Sequence, residues 1–239
     1  MNSFALIMGL GASLGLWMMI QKIPRSQTLN WLQTGLFVYI FALLGARLSY
    51  ILLYSTYYVN SPLEIVQIWK GGFTWPGAVF CGFLGLWIAS LIYELPFNRL
   101  LDGFSECFPP LIIAVWLGAW TRGLAYGFEV PSEMVIGIQV IDEMGITATR
   151  FPLQFIAALV TLFFYTWFEN RKSKFEIAGQ KGSFSLLFFS GTLLVFSFLR
   201  SDPAPVWGEV RLNTWLALLF FVISLITFVI LFFQPIRDK

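Results

Sequence analysis

The chain has 239 residues, of which 58% are hydrophobic, 18% aromatic and only 12% charged. An ordinary soluble domain carries about 25% charged residues, so this composition excludes a water-soluble globular protein. The formal net charge of +2 is small and the basic residues are scattered along the chain, which excludes nucleic acid as a partner.

Few side chains are available for chemistry. The chain contains no histidine, which removes the commonest metal ligand and the usual general base near neutral pH. Cys81 and Cys107 both lie in apolar stretches, where a thiol most often packs as a small hydrophobic group. We therefore expect no metal and no cofactor, and we expect any reaction to use carboxylates, tyrosines, arginines or a group of the substrate.

Seven apolar segments follow one another along the chain, each near the length of about 20 residues that crosses a bilayer. They cover residues 4–21, 31–54, 73–93, 103–121, 152–168, 184–200 and 213–234. We predict an all-α membrane protein with about seven transmembrane helices, forming a single transmembrane domain over residues 1–239. With the N-terminus outside, nine of the 15 basic residues fall in cytoplasmic segments. The positive-inside rule therefore predicts an outside N-terminus and a cytoplasmic C-terminus.

Arg47 lies within the second apolar segment, only seven residues before its end. A cation inside a membrane span usually faces the bundle interior and marks a functional site. The alternative is that its side chain reaches the interface and has no specific role. Residues 55–70 follow and are predicted to form a short interfacial helix, which Gly71 and Gly72 end before the third span.

The longest segment predicted to lie outside covers residues 122–151. Its apolar part, residues 135–141, predicts a small cap between the fourth and fifth spans instead of a loose linker. Caps of this kind often gate access to a membrane site. The basic residues of the outside segments either bind anionic headgroups or extend towards the headgroup region without a specific site.

Six short motifs occur in a fixed order along the chain. They are GARLSYILLY at residues 45–54, NSPLE at 60–64, WKGGF at 69–73, SECFPPLI at 105–112, RFPLQ at 150–154 and FLRSD at 198–202. In order, spacing and helix context they resemble the motifs of the prolipoprotein diacylglyceryl transferases. These bacterial inner-membrane enzymes move a diacylglyceryl group from phosphatidylglycerol to a lipoprotein cysteine.

The resemblance implies that a cysteine sulfur attacks the glycerol carbon of phosphatidylglycerol and that glycerol phosphate leaves. Cations must then hold the departing phosphate, and a base or an electropositive field must favour the thiolate over the thiol. The residues expected to bind substrate or phosphate are Arg47, Tyr50, Gly71, Gly72, Gly77, Arg200 and Asp202. The residues expected to act in catalysis are Arg122, Glu129 and Tyr126.

Several polar residues of the family pattern are replaced in this chain. Pro76 stands where the family has the histidine of its H-G-G motif, and Leu193 and Ser197 stand where its sixth span carries arginine and glutamate. Trp120 occupies the place of an essential arginine, and Arg122 follows two residues later. Two helical residues correspond to a rotation of about 200°, so Arg122 can substitute only where the helix has already ended.

Two hypotheses follow from these matches and replacements. The first is a divergent diacylglyceryl transferase of the bacterial inner membrane, with phosphatidylglycerol and the signal peptide of a lipoprotein as its substrates. The alternative is an inactive family member that binds lipid or serves as a structural subunit, with other membrane proteins as its partners. The sequence leaves both open, together with the identity of the base, the client lipoprotein, the acyl-chain preference and the oligomeric state.

Overall fold

A computed structural model describes residues 3–142, 144–171 and 175–233. Over these residues the protein is mostly helical. The helices are α1 Ser3–Gln21, α2 Thr28–Leu53, α3 Ser55–Asn60, α4 Trp75–Ile92, α5 Phe97–Phe104, α6 Phe108–Trp120, α7 Leu153–Glu169, α8 Gln180–Leu199 and α9 Leu212–Phe232. Short 3₁₀ turns cover Arg25–Gln27, Pro62–Val66 and Ile68–Lys70, and four strands are β1 Ile138–Ile141, β2 Thr147–Arg150, β3 Val206–Trp207 and β4 Val210–Arg211.

Five of the described helices, α1, α2, α4, α8 and α9, are long and apolar enough to cross a membrane. The pair α5 and α6 makes a sixth candidate span, bent by 49°, and α7 is a shorter apolar helix. The prediction of a mainly helical, multi-pass membrane protein is therefore confirmed. The predicted bounds of the unbroken segments agree with the helices to within four residues, although position 234 of the last one lies outside the described residues.

The predicted span at 103–121 differs from the structure, because the helix is interrupted between Phe104 and Phe108. Pro109 and Pro110 lie in the first turn of α6. Proline is tolerated there because the first N–H groups of a helix have no intrahelical acceptor, whereas inside a helix it removes a hydrogen bond and clashes with the preceding turn. The chain therefore starts a new helix at Phe108.

Residues 22–100 form one compact unit, in which α2 packs closely against α4. Small residues recur every fourth position on α4, at Gly77, Cys81 and Gly85. A side chain at Gly45 of α2 would overlap Cys81 and the carbonyl oxygen of Gly77, and one at Gly85 would lie 2.8 Å from Phe41. Small residues at this spacing let membrane helices approach closely enough for their backbones to touch.

Residues 1–21 and 101–239 form the other unit, in which α1 packs on α6, α6 on α7, and α8 on α9. Asp102 joins two parts of this unit, because its carboxylate accepts hydrogen bonds from the amides of Gly179 at 2.7 Å and Gly182 at 2.8 Å. These amides lie at the start of α8, where backbone N–H groups lack helical acceptors. The carboxylate therefore caps the helix from another part of the chain.

The segment between α6 and α7 contains the antiparallel hairpin of β1 and β2, with Ile138 opposite Arg150 and Ile141 opposite Thr147. Residues 135–141 were predicted to form a cap, and the last four of them form strand β1. A second, smaller hairpin joins β3 to β4 just before α9. These two hairpins bring residues from distant parts of the sequence to one place.

Candidate active site

The segment of residues 126–130 lies between two other stretches of chain. On one side Glu129 pairs with Arg150 of β2, and on the other Gly127 pairs with Arg200 at the end of α8. The amide of Ser201 donates to the carbonyl oxygen of Tyr126 at 3.0 Å. This ladder brings the predicted catalytic residues Tyr126 and Glu129 next to the FLRSD motif.

Local sequence explains why the three stretches can approach. A Cβ atom at Gly127 would lie 2.6 Å from the carbonyl oxygen of Phe151, so only glycine fits at this position. Gly123 has a φ of +63° and packs against the carbonyl oxygen of Ile141, where a side chain would both strain the backbone and overlap β1. The rings of Phe128 and Phe151 stack with centroids 5.2 Å apart.

A pocket of about 460 Å³ opens beside this ladder. Its lining combines ionisable side chains with an apolar rim and includes two residues of the stretch that follows Arg200. The lining residues are Tyr126, Glu129, Asp142, Met144, Ile146, Arg150, Ser201 and Pro203. Two of the three predicted catalytic residues therefore face one cavity with part of the predicted phosphate-binding motif.

Arg150 is the central charge of this pocket and is only 6% exposed. Its Nη2 lies 3.2 Å from Oε1 of Glu129 and 3.4 Å from Oδ2 of Asp142, and its Cζ lies 4.1 Å from the ring centre of Tyr126. Its buried Nε has no hydrogen-bond partner among the described residues. Glu129 is largely exposed, with 68% of its side chain accessible, so one carboxylate of the cluster is open to an incoming group.

Backbone amides of the turn that follows Asp142 hold its side chain in place. Its Oδ1 accepts the amides of Met144 at 3.0 Å and Ile146 at 2.9 Å, which leaves Oδ2 for Arg150. Carboxylates commonly fix tight turns in this way, by accepting amides two to four residues further on. The turn therefore positions the counter-ion of Arg150.

Asp202 lies between two arginines beside the pocket. It accepts Nε of Arg200 at 2.8 Å and Nη2 of Arg211 at 3.0 Å, while Arg211 also donates to the carbonyl oxygen of Arg200 at 2.6 Å. Burial alone would raise the pKa of Asp202, but hydrogen bonds and charges from Arg200 and Arg211 outweigh it and lower the pKa below its usual value. Two cations and one carboxylate leave this cluster with a net positive charge.

Arg122 lies in the turn that follows α6, which ends at Trp120. The helix has thus ended before Arg122, which meets the geometric condition for a substitute arginine. Its side chain is exposed, and it forms no ion pair or hydrogen bond with any other residue in the described part of the chain. A phosphate group can therefore reach it without displacing a partner among the described residues.

Arg47 lies in the other unit and is also only 6% exposed. Its guanidinium donates to four carbonyl oxygens of the loop after α3. These are Glu64 at 2.5 Å, Ile65 at 3.2 Å, Gly71 at 2.5 Å and Gly72 at 3.2 Å. Because an arginine has five N–H donors, one remains, and the phosphate-binding role predicted for Arg47 stays a prediction.

The remaining predicted binding residues surround Arg47 or face α2. Tyr50 follows it by one helical turn, and its ring lies beside Gly72. Gly71 and Gly72 have positive φ angles of 87° and 76°. Gly77 lies in the first turns of α4, against Ser49 and Gly45 of α2. Their binding roles stay predictions, and the packing by itself accounts for Gly72 and Gly77.

The sequence interpretation did not select Arg150, Asp142 or Arg211. Arg150 stands in the RFPLQ motif, but the sequence indicates for it only the two general roles of the outside basic residues, binding of anionic headgroups or extension towards the headgroup region. Asp142 and Arg211 carry no local signal, because their roles depend on the β1–β2 and β3–β4 hairpins. Among the described residues, no group of three or more histidine, cysteine, aspartate or glutamate side chains is placed to hold a metal ion.

Comparison with known proteins supports the resemblance of the motifs. Residues 1–230 match the family model described as prolipoprotein diacylglyceryl transferase. A phosphatidylglycerol–prolipoprotein diacylglyceryl transferase of Streptococcus suis is 27% identical over 97% of this chain and 91% of its own length. The enzyme of the same name from Lactococcus lactis is 24% identical over 92% and 85%, and that of Hydrogenovibrio crunogenus is 25% identical over 74% and 68%. This chain therefore belongs to the prolipoprotein diacylglyceryl transferase family.

Proposed function

We propose that the protein transfers the diacylglyceryl group of phosphatidylglycerol to the cysteine thiol of a prolipoprotein. The family match and the names of the relatives support this activity. The observation that carries it is the pocket in which Tyr126 and Glu129 lie beside the Arg200–Asp202 motif. Glu129 in the pocket and the neighbouring cluster of Arg200, Asp202 and Arg211 correspond to the two needs of the reaction, which are a proton acceptor and a positive site for phosphate.

In the proposed reaction the cysteine sulfur attacks the glycerol carbon of the diacylglyceryl group. The new bond joins sulfur to carbon, the bond between that carbon and the phosphate oxygen breaks, and glycerol phosphate leaves with the bonding electrons. The thiol proton passes to a base of the pocket. Because a free thiol has a pKa of about 8.5, nearby cations that stabilise the thiolate accelerate the attack.

The cluster of Arg200, Asp202 and Arg211 is the proposed site for the departing phosphate. Guanidinium groups bind phosphate oxygens through paired hydrogen bonds, and both arginines are partly exposed, with 20% and 18% of their side chains accessible. Asp202 holds the two guanidiniums in one geometry. Arg122, which has no partner in the described part of the chain, is the proposed third cation.

Glu129 is the proposed base. One of its oxygens lies 3.2 Å from the guanidinium of Arg150, while the side chain remains largely exposed to an incoming thiol. Tyr126 lies under Arg150 and fixes that guanidinium from the other face. In this arrangement Arg150 orients the carboxylate and adds a positive field that favours the thiolate.

We further propose a membrane topology of seven spans in a single domain. The bent pair α5 and α6 supplies one span and the short α7 another, in addition to the five long helices. The distribution of basic residues supports an outside N-terminus and a cytoplasmic C-terminus. The proposed location is the inner membrane of a bacterium, with phosphatidylglycerol and a lipoprotein signal peptide as the substrates.

A transfer assay with purified protein tests the proposal. Phosphatidylglycerol labelled in its acyl chains is supplied in mixed micelles together with a peptide that carries one lipoprotein cysteine. We expect label on the peptide and an equal amount of free glycerol phosphate, and neither product with a peptide in which serine replaces the cysteine. Folded protein that gives no transfer at high enzyme concentration would overturn the proposal and leave the inactive, lipid-binding alternative.

A further inference from the structure

The loop between α3 and α4 is fastened at two places to a single side chain. Arg47 donates to the carbonyl oxygens of Glu64 and Ile65 in the first 3₁₀ turn. It also donates to those of Gly71 and Gly72, which follow the second 3₁₀ turn. One buried guanidinium therefore closes residues 61–72, a loop built from two short 3₁₀ turns.

The absence of a side chain at Gly72 leaves room for this guanidinium. A Cβ atom at Gly72 would lie 2.6 Å from Nη1 of Arg47 and 2.7 Å from the ring of Tyr50. The residue also has a φ of +76°, a conformation that favours glycine. Gly71 has a similar φ of +87°, but a Cβ atom there would meet nothing within 4 Å. Of the two neighbouring glycines, only Gly72 is required by contact with Arg47.

The outer side of the loop is apolar and exposed. Leu63, Val66 and Trp69 are 78%, 69% and 70% accessible. Side chains that pack against so little protein cannot fix the loop by burial, so hydrogen bonds must do so. Exposed apolar and aromatic residues that flank membrane spans are typical of segments that lie in the lipid interface.

We propose that Arg47 is a positioning residue that holds residues 61–72 as a fixed ledge in the lipid interface. It acts on the phospholipid substrate through this ledge and does not bind phosphate. The effect on catalysis rests on the proposed transferase function, whereas the effect on the loop does not. Two measurements therefore separate the failure of this inference from the failure of the function.

The first measurement is limited proteolysis of the purified protein in detergent micelles, which requires no activity. Lys70 is exposed, and the carbonyl oxygens of the two residues after it accept hydrogen bonds from Arg47. We expect trypsin cleavage after Lys70 to rise at least about tenfold in Arg47→Ala, Arg47→Lys and Gly72→Ala, because cleavage follows the population of the open loop. Gly71→Ala is the matched control. We expect a smaller increase in cleavage in this variant, because its new methyl group strains the backbone but does not contact Arg47.

The second measurement is the transfer assay with the same variants. We expect Arg47→Lys to lose as much of kcat/KM as Arg47→Ala, up to about 100-fold, because a misplacement of about 1 Å can cost that much and a lysine cannot hold four carbonyl groups. We expect the loss to appear in kcat as well as in KM. The double variant Arg47→Ala with Gly72→Ala should be no worse than the worse single variant, since both open the same loop.

A phosphate ligand would behave differently in both measurements. Arg47→Lys would retain much of the activity, since lysine also binds phosphate as a point charge. The effects of Arg47→Ala and Gly72→Ala would then multiply, and cleavage after Lys70 would be unchanged in the arginine variants. Any one of these three results would overturn the proposed role of Arg47.

Discussion

Two arginines in the described part of the chain are buried, each in a different region, and they differ in the groups that surround them. Arg47 and Arg150 are each 6% exposed. Arg47 donates to four backbone carbonyl oxygens, which carry no net charge and shape a loop. Arg150 faces two carboxylates and an aromatic ring in a pocket, and its Nε has no partner among the described residues.

The difference shows that burial of a cation does not by itself identify a reactive site. Whether a buried arginine is structural or reactive depends on which groups accept hydrogen bonds from its N–H donors. An arginine that donates to backbone carbonyl groups is part of the scaffold. An arginine that faces carboxylates and an open cavity is able to act on a bound molecule.

The largest expected effect comes from Arg150→Ala. Removing one partner of a buried ion pair leaves Asp142 buried without its cation, which typically costs about 3–5 kcal/mol of stability. We expect a large drop in the midpoint of thermal unfolding in detergent, together with loss of transfer activity. Asp142→Asn with Arg150→Met removes both charges and should recover part of the stability without the activity. Full activity in Arg150→Ala would contradict the role of the pocket.

Glu129→Gln tests the proposed base without removing the shape of its side chain. Loss of a general base lowers the rate by about 10²–10⁴, and we expect a change of that size in kcat with little change in thermal stability, because Glu129 is largely exposed. The assay is run on folded protein at saturating phosphatidylglycerol. A rate within about twofold of the wild-type rate would assign the base elsewhere.

Asp202→Asn is expected to have a smaller effect that depends on pH. The pKa of Asp202 is lowered in the folded protein, since Arg200 and Arg211 outweigh the effect of burial. The carboxylate therefore stabilises the fold above its unfolded pKa of about 3.9, and this contribution is lost as the pH falls through the lower, folded pKa.

Thermal unfolding of both proteins as a function of pH measures this effect. We expect the wild type to be more stable at pH 7 by about 1.5–3 kcal/mol, the usual contribution of hydrogen bonds to charged groups. The difference should shrink as the pH falls below about 4. A difference in stability between the two proteins that stays constant down to the lowest pH would contradict the lowered pKa of Asp202.

Glu64→Gln is expected to have the smallest effect and sharpens the account of the Arg47 region. Its side chain pairs with Lys70 at 2.8 Å and with Tyr57 at 2.8 Å, and these contacts lower its pKa. Arg47, however, donates to the backbone carbonyl oxygen of Glu64 and not to its side chain. We expect cleavage after Lys70 and thermal stability close to wild type, since exposed ion pairs contribute little. If cleavage after Lys70 rose as much in Glu64→Gln as in Arg47→Ala, the side chain of Glu64 and not its carbonyl oxygen would hold the loop.

Much of the fold could be predicted from the sequence because apolar segments of span length give a strong signal. The long helices, from α1 to α9, begin and end close to the predicted bounds. The break before α6 could have been read from Pro109 and Pro110, since proline favours the first turn of a helix. The hairpins were not predicted, because β1 to β4 have only two to four residues each and depend on pairing across the chain.

Less of the candidate site could be predicted. The FLRSD motif is recognisable from the order of the motifs, which carries information about position in a known family, whereas Glu129 is a candidate only as a carboxylate of the outside segment 122–151. Arg150 was missed because its importance arises from Asp142 and Tyr126, which are 8 and 24 residues away in sequence and meet it only in the folded chain. Arg47 was selected for its depth in an apolar segment, a signal that does not reveal where its donors point.

The transfer assay on the wild type and Glu129→Gln, run side by side, tests whether the pocket around Arg150 is the active site. We expect diacylglyceryl on the cysteine peptide with release of glycerol phosphate by the wild type, and a rate lower by about 10²–10⁴ in Glu129→Gln. Folded wild-type protein that transfers no lipid, or a variant as fast as the wild type, would contradict the assignment of the pocket around Arg150 as the active site.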